Sequence, residues 1–144
     1  MATAPQTQRI LVVDDDQALA DMMQEALEGA GYRVTVCAQS EQALPLIATE
    51  PPDLVILDVR MPQVGGLDIL DHLRADPRTH AIPVLMCTAA FSGDRPVWQD
   101  EMARRGATIL FKPFALDQLL DQVRALLGGG RRQTADGGES IVDS

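Results

Sequence analysis

Five short runs rich in Val, Ile and Leu recur along this chain: Ile10 to Val13, Val34 to Cys37, Leu54 to Leu57, Val84 to Cys87 and Ile109 to Phe111. Runs this short, without regular polar alternation, suit strands covered on both faces. Segments with helical spacing separate them. The first carries Leu19, Met22, Met23, Ala26 and Leu27, with Gly29 and Gly31 as its stop. The second, Glu41 to Thr49, follows Ser40 as its cap, and Pro45 inside it removes a backbone donor and should kink or shorten it. A third is read from Leu67, Ile69, Leu70 and Leu73 and ends before Pro77. The fourth, Arg95 to Arg105, starts from Asp94 as cap with Pro96 in its first turn, where a missing N–H costs little. The fifth carries Leu116, Leu119, Leu120, Val123, Leu126 and Leu127 and stops at a glycine triplet. Alternation of this kind predicts an α/β fold, a parallel sheet with helices on both faces. Its functional crevice then lies at the carboxyl ends of the strands.

A chain of 144 residues holds one good core and not two. Residues 1–8 are small and polar, and 128–144 are Gly-rich without apolar period. Both read as flexible tails around a folded domain of 9–127. The 12 Lys and Arg against 21 Asp and Glu leave a net charge of −9, so most of this surface repels a phosphate backbone or an anionic membrane. Direct nucleic-acid and membrane binding are therefore not expected. No apolar run reaches the roughly 18 residues of a membrane span, the start has no apolar signal stretch, and the expected location is cytoplasmic. Cys37 and Cys87 fall inside strand-like runs without metal-like spacing, which makes them core thiols.

Polar groups gather at the expected crevice. Asp14, Asp15 and Asp16 follow the first run, Asp58 the third, Thr88 the fourth and Lys112 the fifth. Each alone has an ordinary explanation as a helix cap, a strand terminator or a solvated charge. Together they place several carboxylates in one crevice, where they repel unless a cation stands among them. Oxygen donors without His or Cys fit Mg²⁺, which keeps several waters and often completes its shell with phosphate. Lys112 is the only lysine among 12 basic residues, a compact ammonium kept beside the acidic groups by a chain that otherwise uses Arg. Asp16 is best assigned as a cap for the first helix.

The stretches ILVVDDD, PDLVILDVRMPQVGGLDIL, PVLMCTAA and ILFKPF, in that order, resemble the receiver domain of two-component response regulators. The resemblance covers roughly Arg9 to Leu127. It implies a flavodoxin-like, doubly wound five-stranded parallel sheet of order 2-1-3-4-5 with five helices on its two faces. It also implies roles. Asp58 is similar to the phosphorylated aspartate, and Asp14 and Asp15 to the acidic pair at the Mg²⁺, with Asp15 the direct ligand and Asp14 acting partly through water. Thr88 resembles the switch hydroxyl, Lys112 the phosphate-binding lysine and the main-chain carbonyl of Arg60 a further metal ligand. The catalytic set implied is thus Asp58, Thr88 and Lys112. Lys112 to Pro113 is by resemblance a cis peptide, and Gly65, Gly66, Met61 and Pro62 shape the loop after Asp58.

One departure stands out. The family's aromatic residue three positions before the lysine is replaced by Ile109, and Phe111, on the same strand face, is either a substitute or plain core packing. Arg60 and Ala90 border the path of an attacking water, and Trp98 on the fourth helix is either packing or partner surface. The expected function is a stand-alone receiver, phosphorylated by a histidine kinase or histidine phosphotransfer protein and signalling through contact with a target protein, with a phosphorylation-dependent homodimer among the options. It is not expected to be an enzyme beyond its own Mg²⁺-dependent phosphorylation and dephosphorylation. Two alternatives stay open: a phosphotransfer intermediate, and the receiver portion of a longer regulator. A mononucleotide-binding module is disfavoured because Asp14 to Asp16 stand where a Gly-rich phosphate loop would be.

Overall fold

The computed structural model describes residues 7–58, 66–89, 103–112 and 114–129. Five strands, β1 (Arg9–Val13), β2 (Arg33–Cys37), β3 (Leu54–Asp58), β4 (Val84–Ala89) and β5 (Ala107–Lys112), form one parallel sheet in the order β2-β1-β3-β4-β5. Four helices are described: α1 (Gln17–Gly29), α2 (Ala43–Thr49), α3 (Gly66–Ala75) and α4 (Leu116–Arg124). The sheet order is the one the resemblance implied. The helix expected over Arg95 to Arg105 lies largely outside the described residues, so α4 is the fifth helix expected from the sequence. Only residues 103–105 of that expected helix are described, and 103–104 are helical.

Alternation along each strand divides the core into two layers. Leu11, Val13, Val55, Leu57, Val84 and Met86 pack under α2 and α3, together with Ile47, Ile69, Leu70 and Leu73. Ile10, Val12, Leu54, Ile56, Leu85 and Cys87 pack under α1 and α4, together with Met23, Leu27, Leu119 and Val123. Both cysteines are buried, as expected of core thiols. β3 is buried along its whole length because it is central. β2 departs from the expected two-sided cover: as an edge strand it leaves Arg33 and Thr35 exposed.

The ends of the elements fix where the crevice residues stand. The Asp16 carboxylate accepts the Leu19 N–H at 3.2 Å and caps α1. Gly31, at φ +103, lets the chain leave α1 in a conformation that a side chain disfavours. The cap expected at Ser40 is a correction: Ser40 lies buried in a 3₁₀ turn, Ser40–Gln42, and α2 begins after it at Ala43. Pro45 is the third residue of α2, inside the first turn, where backbone donors have no partner within the helix. It therefore shortens α2 and has no hydrogen bond of the helix interior to break. After α4 the chain continues as a π-helical turn over Ala125–Gly129, which contains Leu126 and Leu127, the final pair of the apolar period expected for the fifth helix.

Candidate functional site

The crevice at the carboxyl edge of the sheet brings the predicted residues together. The Asp14 N–H donates to the Cys37 carbonyl at 3.1 Å, which ties the residue after β1 to the end of β2. Its carboxylate is almost fully buried: Oδ1 accepts the Asp16 N–H at 2.9 Å, and Oδ2 lies 3.3 Å from Lys112 Nζ. Asp58 is the last residue of β3, only 9% exposed, and its Oδ1 lies 3.7 Å from the same ammonium. Asp15 is exposed. One oxygen from each of Asp14, Asp15 and Asp58 falls within 4.8 Å of the others.

Three carboxylates this close and one ammonium leave an excess of negative charge. At an effective dielectric near 20, each carboxylate pair costs about 3–4 kcal/mol. Lys112 offsets part of this, and a divalent cation fits the remainder: the donors are hard oxygens, two held in place by burial and one open to water. Both oxygens of Asp14 already have partners, whereas Asp15 is exposed, so Asp15 is the carboxylate better placed for a direct bond.

Thr88, Asp58 and Lys112 stand within their strands, each at or next to the last position, where the sequence pattern put them just beyond. Thr88 is fully buried, in register with Phe111 of β5. Asp58 is in register with Cys87. The proximity of Cys87 to the acidic crevice is a feature that sequence reasoning missed, because it follows from the register of two strands and not from spacing. Burial pushes the Cys87 thiol up to about 12; Asp14 and Asp58 push it the same way, and Lys112 opposes them. Cys87 is thus a neutral thiol and no nucleophile at ordinary pH. Phe111 is corrected from the expected core packing: it is 37% exposed. Arg60, Met61, Pro62, Gly65, Ala90, Trp98 and Pro113, and with them the expected carbonyl ligand and cis peptide, lie outside the described residues.

The family model described as the response regulator receiver domain matches residues 10–124. The chain belongs to this receiver-domain family. Phosphorylation-dependent signalling and Mg²⁺ binding at an acidic pocket are general among such receiver domains. Response regulator MprA of Mycolicibacterium vanbaalenii is 39% identical over 137 residues, covering 90% of this chain and 53% of that protein. The chain thus spans about half the length of the curated relatives it matches. Among solved structures, the Vibrio cholerae chemotaxis protein CheY4 aligns with a TM-score of 0.77 at 31% identity, covering 85% of this receiver and all 100% of CheY4. The signal receiver domain of a histidine kinase from Syntrophus aciditrophicus aligns with a TM-score of 0.78 at 28% identity, covering 96% and 99% of the two chains. Among the described residues, no helix is long and apolar enough to cross a membrane.

Proposed function

We propose that this receiver is a switch set by phosphorylation of Asp58, with a phosphohistidine of a histidine kinase or phosphotransfer protein as donor and contact with a target protein as output. The observation that carries the reading is the position of Asp58, on the central strand, beside both the Asp14–Asp15 pair and the Lys112 ammonium. An oxygen of Asp58 attacks phosphorus; the new P–O bond forms as the P–N bond to the donor imidazole breaks, and the imidazole leaves with the electron pair and takes up a proton. Lys112 Nζ, already near Asp14 and Asp58, turns its donors to the oxygens of the transferred group. Asp15 and Asp58 would hold a Mg²⁺ directly and Asp14 partly through water. When bound, the ion supplies positive charge against the same oxygens. Thr88 contributes a hydroxyl that donates to an anionic acceptor once one is present. Beyond this self-phosphorylation and its reversal by water, the reading includes no enzymatic activity.

Incubation with acetyl phosphate and Mg²⁺, followed by peptide mass spectrometry, tests the assignment. The expected result is a single phosphoryl group on Asp58 and none in Asp58→Asn. Undiminished phosphorylation of Asp58→Asn would overturn it. The similarity to the receiver of a histidine kinase favours a second reading, in which the phosphoryl group moves on to a histidine of another protein. Time-resolved transfer of label from phosphorylated receiver to a histidine phosphotransfer partner, faster than its loss to water, would establish that reading over the first.

A further inference from the structure

A groove of about 500 Å³ lies between α2 and α3. Ile47 and Leu73 form its buried floor, and Leu44, Ala48, Ala75 and Pro77 form its sides. Ala48 and Ala75 are exposed, and side chains this small leave the space above the floor open. Its size is that of a binding pocket, and walls of this kind offer water few hydrogen bonds, so an apolar occupant is favoured.

Parallel strands decide where the groove stands. Each helix carries the chain back along the sheet, so helix C-termini gather at the edge where the strands begin, away from the acidic crevice. Arg9, the first residue of β1, bonds Glu50 and the Pro51 carbonyl just after α2, and Arg74, in the last turn of α3, bonds the Ile82 carbonyl just before β4. α4 ends at that edge too, and the described chain leaves it at Gly129.

The sequence beyond Gly129 holds a matching occupant. In residues 130–144, GRRQTADGGESIVDS, Ile141 and Val142 are the only large apolar side chains. Ile141 stands twelve positions past Gly129, a reach of up to about 40 Å. A folded domain of this length has a radius of gyration of about 14 Å, so opposite points on its surface lie roughly 35 Å apart. The pair therefore reaches the groove although α4 packs on the other face of the sheet. Tethering gives an effective concentration on the order of millimolar, so a contact weak between separate molecules suffices.

Charge favours the same pairing. Glu139 and Asp143 flank the two apolar residues, and most of a surface of net charge −9 repels them. At the groove, Arg78 donates through Nε and Nη2 to the Asp76 carboxylate at 3.2 and 2.9 Å. Both hydrogens of its Nη1 then have no protein acceptor among the described residues, and a second carboxylate finds a donor there.

We infer that the groove between α2 and α3 docks the chain's own segment 139–143, with Ile141 and Val142 over Ile47 and Leu73 and a flanking carboxylate on Arg78. The segment is a strap across the end of the molecule opposite the phosphorylation crevice. It stands independently of the function proposed above.

Carbon-13 methyl spectra of the full chain, labelled at Ile, Leu and Val, test this. The expected result is nuclear Overhauser contact from Ile141 and Val142 to Leu44, Ile47 and Leu73. Those three signals should shift when Ile141→Asp and Val142→Asp are combined, at every protein concentration, while Leu27 and Val123 of the other layer stay in place. Ale48 is not altered in that variant; in a second one, Ala48→Arg, a long side chain crowds the groove and should return Ile141 and Val142 to the positions they hold in the free peptide GGESIVDS. Groove signals identical in the parent and the double variant overturn the inference. Shifts that grow with protein concentration assign the groove to a second copy, and shifts spread equally over both layers place the segment elsewhere; either result overturns it as well.

Discussion

Cys87 shows how one buried side chain gives the fold a pH dependence. Its thiol keeps its proton in the folded state up to about pH 12, while in the unfolded chain it titrates near its ordinary value of 9.0. Between those values the unfolded state has lost a proton that the folded state retains, so stability is full below pH 9 and falls as pH rises through the window. The slope is about 1.4 kcal/mol per pH unit. Urea unfolding at pH 8 and pH 10.5 should therefore show a larger loss in the parent than in Cys87→Ala, which keeps the contribution of Cys37, a second thiol that burial pushes up, and equal losses in the two would remove Cys87 as a cause. The same residue marks the limit of what single positions reveal. Its burial was legible from the apolar run around it, whereas its register opposite Asp58 was not. Asp16 and Ser40 make the same contrast. Both are polar residues directly before an apolar period, yet only Asp16 caps, because the chain at Ser40 first tightens into a 3₁₀ turn that buries the residue.

At the scale of elements, α3 and the entry to β5 are joined by a clamp that no periodicity announces. Arg74, in the last turn of α3, donates through Nε to the Arg105 carbonyl at 2.6 Å and through one Nη to the carbonyls of His80 and Ile82 at 3.0 and 2.8 Å. Burial draws its guanidinium pKa down. Its partners are main-chain oxygens, as far as 31 residues away, and main-chain oxygens leave no trace in residue type. Gly106, at φ +77 against the Arg74 guanidinium, completes the turn into β5. Arg74→Met keeps the stem and leaves these carbonyls without their donor, which should cost about 2–3 kcal/mol in urea unfolding. Removing the neighbouring Arg105–Asp71 ion pair with Asp71→Asn should cost under about 1 kcal/mol, since half-exposed pairs contribute little. Equal losses in the two variants would show that the carbonyl contacts carry no special weight. The expected strands were legible because apolar runs report burial. The exposed residues of β2 were the exception, and the reason is its place at the sheet edge, which strand order decides and composition does not.

At the scale of the whole molecule, an acidic chain of net charge −9 concentrates three carboxylates at one point of its sheet. That convergence was legible in the sequence, because five strand–helix alternations bring the strand ends to one edge. The division of Asp58 and Thr88 between the two sheet faces was not, since it depends on how far each strand extends. General screening of the net charge and specific occupation of the crevice both predict that added salt stabilises the fold, so the two must be separated. A cation that binds the folded crevice and not the unfolded chain adds RT ln(1 + [L]/Kd), about 1.4 kcal/mol at tenfold excess over Kd. For a domain of this size that is a rise of roughly 3–8 °C in Tm. Sodium chloride at matched ionic strength reproduces only the screening, which acts on the whole surface. Differential scanning calorimetry should therefore show a larger rise with Mg²⁺ than with sodium chloride in the parent, and that excess should vanish in Asp15→Ala, whose exposed carboxylate can meet an ion without breaking a buried contact. An excess that survives in Asp15→Ala would place the ion away from this crevice and leave Lys112 alone to offset the charge of Asp14, Asp15 and Asp58 and of an incoming phosphoryl group.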